Sequence, residues 1–309
     1  MAPAGLWACA VVAAVGWLWP TRPAPPAPVA APPARALPAA VDTKFVQVHP
    51  APKDAFTFQR SPGQSRAVVL IHGLRVHPFS NDSVNRAAFH DWQKAASPLV
   101  QHLARQADVF AFAYSENVPV DQIAETPGLG VNIWRLRQLG YAEVVLVGHS
   151  AGGLVARQFV EDHPDAGVTK VIQVCAPNGG CVYARMEAGV RKNQRPFLAS
   201  LTKDARAGFV KRRVGKRIPA AVQFVCVVGD GAPGGDGVVS TLSQWPPDLQ
   251  LQGIPAVVLR TTHLTAMRTA VEAERLAELI RQSLPRWGPA QIAAVRKELW
   301  RGERGASAP

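Results

Sequence analysis

The chain has 309 residues, 48% of them hydrophobic, and a formal net charge of +12 at neutral pH. That is ample apolar material for one large α/β domain or two small ones. The positive charge would suit an anionic partner, but the sequence holds no zinc-finger spacing, aromatic RNP-like strand or helix-turn-helix, which excludes nucleic acid.

Met1 to Pro20 carries no charged side chain, and Gly5 to Trp19 is continuously apolar. This length matches a signal-peptide core and is marginal for a membrane span, so a cleaved signal and an uncleaved anchor both stay open. Either makes the protein membrane-anchored or secreted, outside the cytoplasm. Arg22 and Arg35 follow directly, so the positive-inside rule gives no orientation. Residues 21–40 are mainly Pro and Ala, a semi-rigid polyproline II spacer. The globular domain is expected over 41–288, followed by a basic tail at 289–309.

Within the domain, strands and helices alternate, the pattern of a parallel sheet covered on both faces. Phe45–Val48 and Phe56–Phe58 read as opening strands, and Ala67–Ile71 as a buried one ending at His72-Gly73-Leu74. Ala87–Ala107 reads as a helix that Pro98 breaks or restarts. Asp108–Tyr114 is the next strand, and Val118–Leu139 is a loop and helix. The apolar run Glu143–Val147 enters Gly148-His149-Ser150-Ala151-Gly152-Gly153, and Leu154–Glu161 continues as a helix. Further strands follow at Val171–Cys175, Val222–Val228 and Ile254–Leu259, with a closing helix over Thr265–Leu284.

Between the strands at Val171 and Val222 lies an insertion, about 178–220, expected to form a cap. From Arg185 to Arg217 it holds eleven Lys and Arg against Glu187 and Asp204. Phe197, Leu198, Leu201, Ala205, Phe209 and Val210 recur at near-helical spacing opposite Lys203, Arg206, Lys211 and Arg212. Such a helix would either pack its apolar side on the domain or meet an anionic membrane surface. Cys175, Cys181 and Cys226 show no CxxC or Cys/His spacing, so no metal site is expected, and one disulfide or three thiols remain open.

Ser150 stands on a strand–turn–helix, the setting of a nucleophile elbow. A serine hydroxyl needs a base to become a nucleophile, and the base needs an orienting acid. His263 lies beyond the later acids, just after the strand ending at Leu259, which carries it to the same sheet edge as Ser150. Asp230 and Asp236 share the glycine-rich loop after Val222–Val228, and local chemistry does not choose between them; Asp248 is a remote third. The oxyanion donors are expected to be the backbone N–H groups of Ala151 and Leu74, while His72 reads as structural.

With these residues the chain resembles the α/β-hydrolase superfamily, and most closely serine lipases and esterases, including those similar to the GPI inositol-deacylase domain. Three motifs carry the resemblance: Val69-Leu70-Ile71-His72-Gly73-Leu74, Val147–Arg157, and Asp236-Gly237-Val238-Val239-Ser240. The last is similar to the run that bears the acid in many such lipases, which implies Asp236 as the acid and Asp230 as the alternate. Ala176-Pro177-Asn178-Gly179-Gly180 stands where many members have Thr-Pro-His-x-Gly-Ser. Cys175 and Asn178 depart from that pattern, and Cys181 replaces its serine.

The resemblance implies an α/β-hydrolase fold and cleavage of carboxylic esters or lipids through an acyl-serine, with no cofactor. An acyltransferase or thioesterase would share the acyl-enzyme. A tethered binding protein that has lost catalysis would have no need of serine, acid and histidine in this order.

Overall fold

The computed structural model describes residues 41–51, 57–75, 82–185 and 190–305; the apolar leader, the Pro/Ala spacer and Phe56 lie outside them. The apolar runs assemble into one seven-stranded sheet. Its strands are β1 (Thr43–His49), β2 (Arg66–Ile71), β3 (Asp108–Tyr114), β4 (Glu143–His149), β5 (Lys170–Val174), β6 (Gln223–Gly229) and β7 (Ala256–Leu259). They lie in the order β1-β3-β2-β4-β5-β6-β7, with β1 antiparallel to β3 and all other neighbours parallel. Thr57 and Phe58 join no strand.

The helices, in chain order, are α1 (Pro98–Leu103), α2 (Val120–Ala124), α3 (Pro127–Gln138), α4 (Ala151–Asp162), α5 (Arg195–Ser200), α6 (Lys203–Arg212), α7 (Thr241–Gln244), α8 (Pro247–Gln250), α9 (Ala270–Arg281) and α10 (Pro289–Gly305). They cover both sheet faces, which is why the inner strands read as unbroken apolar runs. Along β2, Val69 and Ile71 enter the core under α3 and α4, while Val68 and Leu70 enter the one under α1 and α9. α10 belongs to the first core: Leu299 is buried, and Ile292 and Val295 pack against it. Among the described residues no helix is long and apolar enough to cross a membrane.

Three expected elements differ in ways the local chemistry explains. The helix expected over Ala87–Ala107 is confined to α1, where Ser97 caps by accepting the Val100 N–H (3.2 Å) and Pro98 fills the first turn. The closing helix starts at Ala270 rather than Thr265, with Thr269 as its cap and turns over 263–268. The cap segment is not one amphipathic helix but two, because the chain breaks at Leu201 and Thr202 caps α6. That break resets the helical phase. Phe197, Leu198, Leu201 and Phe209 turn into the protein, and so does Arg206, expected on the solvent side. The Arg206 guanidinium sits 4.0 Å from the Phe209 ring and pairs with Asp121 of α2 at 3.0 Å.

Candidate active site

The turn between β4 and α4 leaves Ser150 at φ 54°, ψ −126°, a conformation that costs a residue with a side chain of order 1–3 kcal/mol. Backbone contacts hold it there. The Ser150 N–H donates to the Val174 carbonyl (2.8 Å), and the Ser150 carbonyl accepts the Gly153 N–H (3.0 Å). The flanking glycines are a matter of space. A Cβ on Gly148 would run into the Gly152 carbonyl, and one on Gly152 into the carbonyls of Ile71 and His72. The start of α4 can therefore pack against the ends of β4 and β2 only with hydrogen at both positions.

His263 arrives from the loop after β7, and its Nε2 lies 3.0 Å from Ser150 Oγ. On the other side of the ring, Nδ1 lies 2.7 Å from Asp236 Oδ2. A carboxylate can only accept, so Nδ1 carries the proton and Nε2 presents its lone pair to the serine hydroxyl. Ser150 is 5%, His263 8% and Asp236 1% exposed, so the relay is largely screened from water. Burial alone would raise the Asp236 carboxyl. The hydrogen bond and charge of His263, with the N–H groups of Val239 and Val238, outweigh it and hold the carboxyl below its ordinary value.

No protein-family model matches the chain, and no curated protein matches its sequence. Among solved structures it is similar to the lipase BlEst2 of Bacillus licheniformis in its propeptide form, with a TM-score of 0.57 at 13% identity over 80% of this chain. It is also similar to the phospholipase PlaB of Legionella pneumophila, with a TM-score of 0.51 at 14% identity over 79% of this chain. The chain spans 54% of that lipase's length and 64% of the phospholipase's. It has the α/β-hydrolase fold.

On the α/β-hydrolase sheet, Ser150, Asp236 and His263 follow β4, β6 and β7, so the parallel strands deliver all three to one edge. Asp230 is not brought to His263. It is exposed, and its backbone N–H instead donates to Leu259 (2.9 Å). Asp248 is further removed, bound to the Arg157 guanidinium. The loop's glycines let it double back: Ala232 pairs with Gly235, and Asp236 Oδ1 accepts from Val238 (2.8 Å) and Val239 (2.7 Å). That fold-back is what separates two aspartates that look equivalent in sequence.

The loop after β2 passes close to the serine, since a Cβ on Gly73 would lie 2.5 Å from Ser150 Cβ and 3.1 Å from its Oγ. Among the described residues, neither the Ala151 nor the Leu74 N–H has a hydrogen-bond acceptor in the protein. His72 has both ring nitrogens engaged: Nδ1 donates to Gly73 O (2.7 Å), and Nε2 accepts the Tyr114 N–H (3.2 Å). It is a scaffold residue of the fold.

Several neighbours of the site had no local signal in the sequence. His149 Nε2 lies 3.0 Å from the His263 carbonyl, which can only accept, so Nε2 carries the proton. Burial, then the charges of His263 and His90, push its imidazole well below the ordinary value, and it is neutral at physiological pH. Cys175 follows β5 at φ 54°, with its Sγ within 4.8 Å of Asp236 and His263 ligand atoms. Its thiol is pushed up by burial and then by the Asp236 charge, and it is no nucleophile at neutral pH. Cys175, Cys181 and Cys226 are all buried free thiols.

Beneath the elbow helix, Arg157 joins Glu161 (2.8 Å), Asn178 (3.2 Å) and Asp248. Asn178 in turn donates to Gln173 Oε1 (3.0 Å) and the Gln244 carbonyl (2.9 Å). Gln244 Nε2 reaches Val239 O (2.9 Å) in the loop of Asp236. A buried polar layer thus runs from the elbow helix to the acid's loop.

Proposed function

We propose that the protein is a serine hydrolase that cleaves carboxylic esters through an acyl-serine intermediate. The observation carrying this reading is the Ser150–His263–Asp236 relay at 3.0 and 2.7 Å, on a turn that holds its serine at a strained φ. Ser150 Oγ attacks the acyl carbon while His263 Nε2 takes its proton, and the Asp236 carboxylate holds the ring and stabilises its charged form. The carbonyl oxygen gains charge and is met by the Ala151 and Leu74 N–H groups, each worth roughly 3 kcal/mol in the transition state. The positive end of α4 adds to this field. His263 then protonates the leaving alcohol and activates the water that frees the acid.

The same reading takes an ester or lipid as substrate, as the lipase and phospholipase of similar fold suggest by their names. It includes contact with an anionic membrane surface. Phe197, Leu198, Leu201 and Phe209 of the insertion are spent inside the fold, so this contact would be made chiefly by exposed charge, through Lys192, Lys203, Lys211 and Arg217, beside the exposed Val182, Tyr183 and Val214. We also read the protein as secreted or held at a membrane outside the cytoplasm, by virtue of its apolar first twenty residues.

The test is labelling of the purified protein with a fluorophosphonate probe, beside Ser150→Ala and His263→Ala. Labelling of the parent that both substitutions abolish supports an activated serine. A folded parent that stays unlabelled would refute the mechanism. A p-nitrophenyl ester series, run with and without a competing alcohol acceptor, then separates hydrolysis from acyl transfer. Flotation with neutral and anionic liposomes tests the surface contact, and equal binding to both would remove it.

A further inference from the structure

The backbone that carries the Leu74 N–H is pinned at the next residue, Arg75, by two buried side chains from elsewhere in the chain. The Arg75 N–H donates to Glu116 Oε1 at 2.8 Å. The Arg75 carbonyl accepts from Gln194 Nε2 at 2.8 Å, and the same amide donates to Glu116 Oε2 at 2.5 Å. Glu116 follows β3 and is 2% exposed; Gln194 belongs to the insertion, just before α5, and is 3% exposed. One carboxylate and one amide therefore close a ring around a single residue, Arg75. Arg75 directly follows Leu74 and Gly73, and Gly73 passes close to Ser150.

We propose that Gln194 and Glu116 are positioning residues that set the Leu74 N–H for the oxyanion, so that the insertion is a structural part of the reacting site. This rests on the ester-hydrolase reading above. The chemistry favours a strut over incidental packing. A carboxylate accepts and an amide hydrogen donates, so Glu116 holds the Arg75 N–H while Gln194 holds the opposite end of that residue. Loss of either removes one buried contact from the other and one of the two holds on Arg75. An oxyanion donor acts through its aim, and a small displacement forfeits much of its effect.

The experiment compares Gln194→Ala and Glu116→Gln with Ser200→Ala. Ser200 also ties the insertion to the body, its Oγ accepting the Val120 N–H at 3.0 Å and donating to the Phe197 carbonyl at 2.6 Å rather than bonding residues 73–75. Amide hydrogen exchange over residues 73–75 reads the pinning without any turnover. It should accelerate about tenfold or more in Gln194→Ala and Glu116→Gln and hold in Ser200→Ala. Fluorophosphonate labelling of Ser150 and kcat for an ester should fall roughly tenfold or more in the first two, with KM little changed.

Exchange at 73–75 that is unmoved in Gln194→Ala, or moved equally in Ser200→Ala, overturns the proposal. A parent that never labels defeats the hydrolase reading instead, while the exchange result still decides the pinning. Should Gln194→Ala fold poorly by thermal melting, Gln194→Glu serves in its place: it nearly keeps the volume but sets a carboxylate against the Arg75 carbonyl.

Discussion

Asp236 holds His263 twice: its carboxylate takes the ring Nδ1–H at 2.7 Å, and its backbone carbonyl takes the His263 N–H at 2.9 Å. Only the first contact depends on the side chain. In Asp236→Asn the backbone link and the loop survive, but the amide favours the wrong tautomer of the imidazole. We expect kcat to fall by about 10⁴-fold with little change in KM. Asp230→Asn, on the same loop but away from the ring, should stay within about twofold. Steady-state kinetics on the two variants checks both. Because the folded Asp236 carboxyl lies below its ordinary value, the stability it contributes is present above that value. It is lost as pH falls through the depressed one.

Space explains the second prediction. With Ser150 Cβ only 2.5 Å from where a methyl on Gly73 would sit, Gly73→Ala cannot be absorbed by a flexible side chain. The loop must retreat from the elbow, carrying the Leu74 N–H with it. We expect a loss of about 1–3 kcal/mol in stability, with kcat reduced more than the stability loss explains. Chemical denaturation and single-turnover labelling, measured on one preparation, separate the two.

His149 carries a pH dependence. Its folded imidazole is depressed below the ordinary 6.5, so the unfolded chain binds a proton that the folded one refuses. Stability from this group is full above that ordinary value and drains away as pH falls through it toward the depressed one. His149→Gln keeps a donor for the His263 carbonyl but removes the titration. Denaturation midpoints at about pH 7.5 and about pH 5.5 should differ less in the variant than in the parent. Equal differences would remove His149 as the cause.

Arg157 is buried among Glu161, Asp248 and Asn178, and Arg213 shares Glu161 at 3.1 Å. Arg157→Met leaves Glu161 one partner and Asp248, which is partly solvated, none from this guanidinium. We expect a cost of about 3 kcal/mol, at the lower end for breaking a buried ion pair. Arg185→Ala, which breaks the exposed pair with Asp204, should leave the urea midpoint unchanged.

The parts of this molecule that were legible in sequence are those built from neighbours in the chain. The runs that became β2 to β6 and the turn at Ser150 carry their signal within ten residues. The order serine, acid, histidine follows from parallel strands delivering to one edge. What sequence left open depends on long-range closure. Asp230 and Asp236 differ only in which one the doubled-back loop points at His263. Arg206 went inward because a helix expected to be continuous breaks at Leu201. Glu116 and Gln194 meet across 78 residues, and no local pattern announces such a pair.

The three buried thiols have a practical side. Cys175, Cys181 and Cys226 are all buried, and burial raises each thiol's pKa, which disfavours the thiolate that reacts with a maleimide at neutral pH. A single cysteine introduced at an exposed position such as Tyr183 or Lys211 would then be addressable without first stripping those three from the core. A dye or spin label there could report the insertion's distance from the elbow as a substrate analogue enters, in a protein that keeps its native packing.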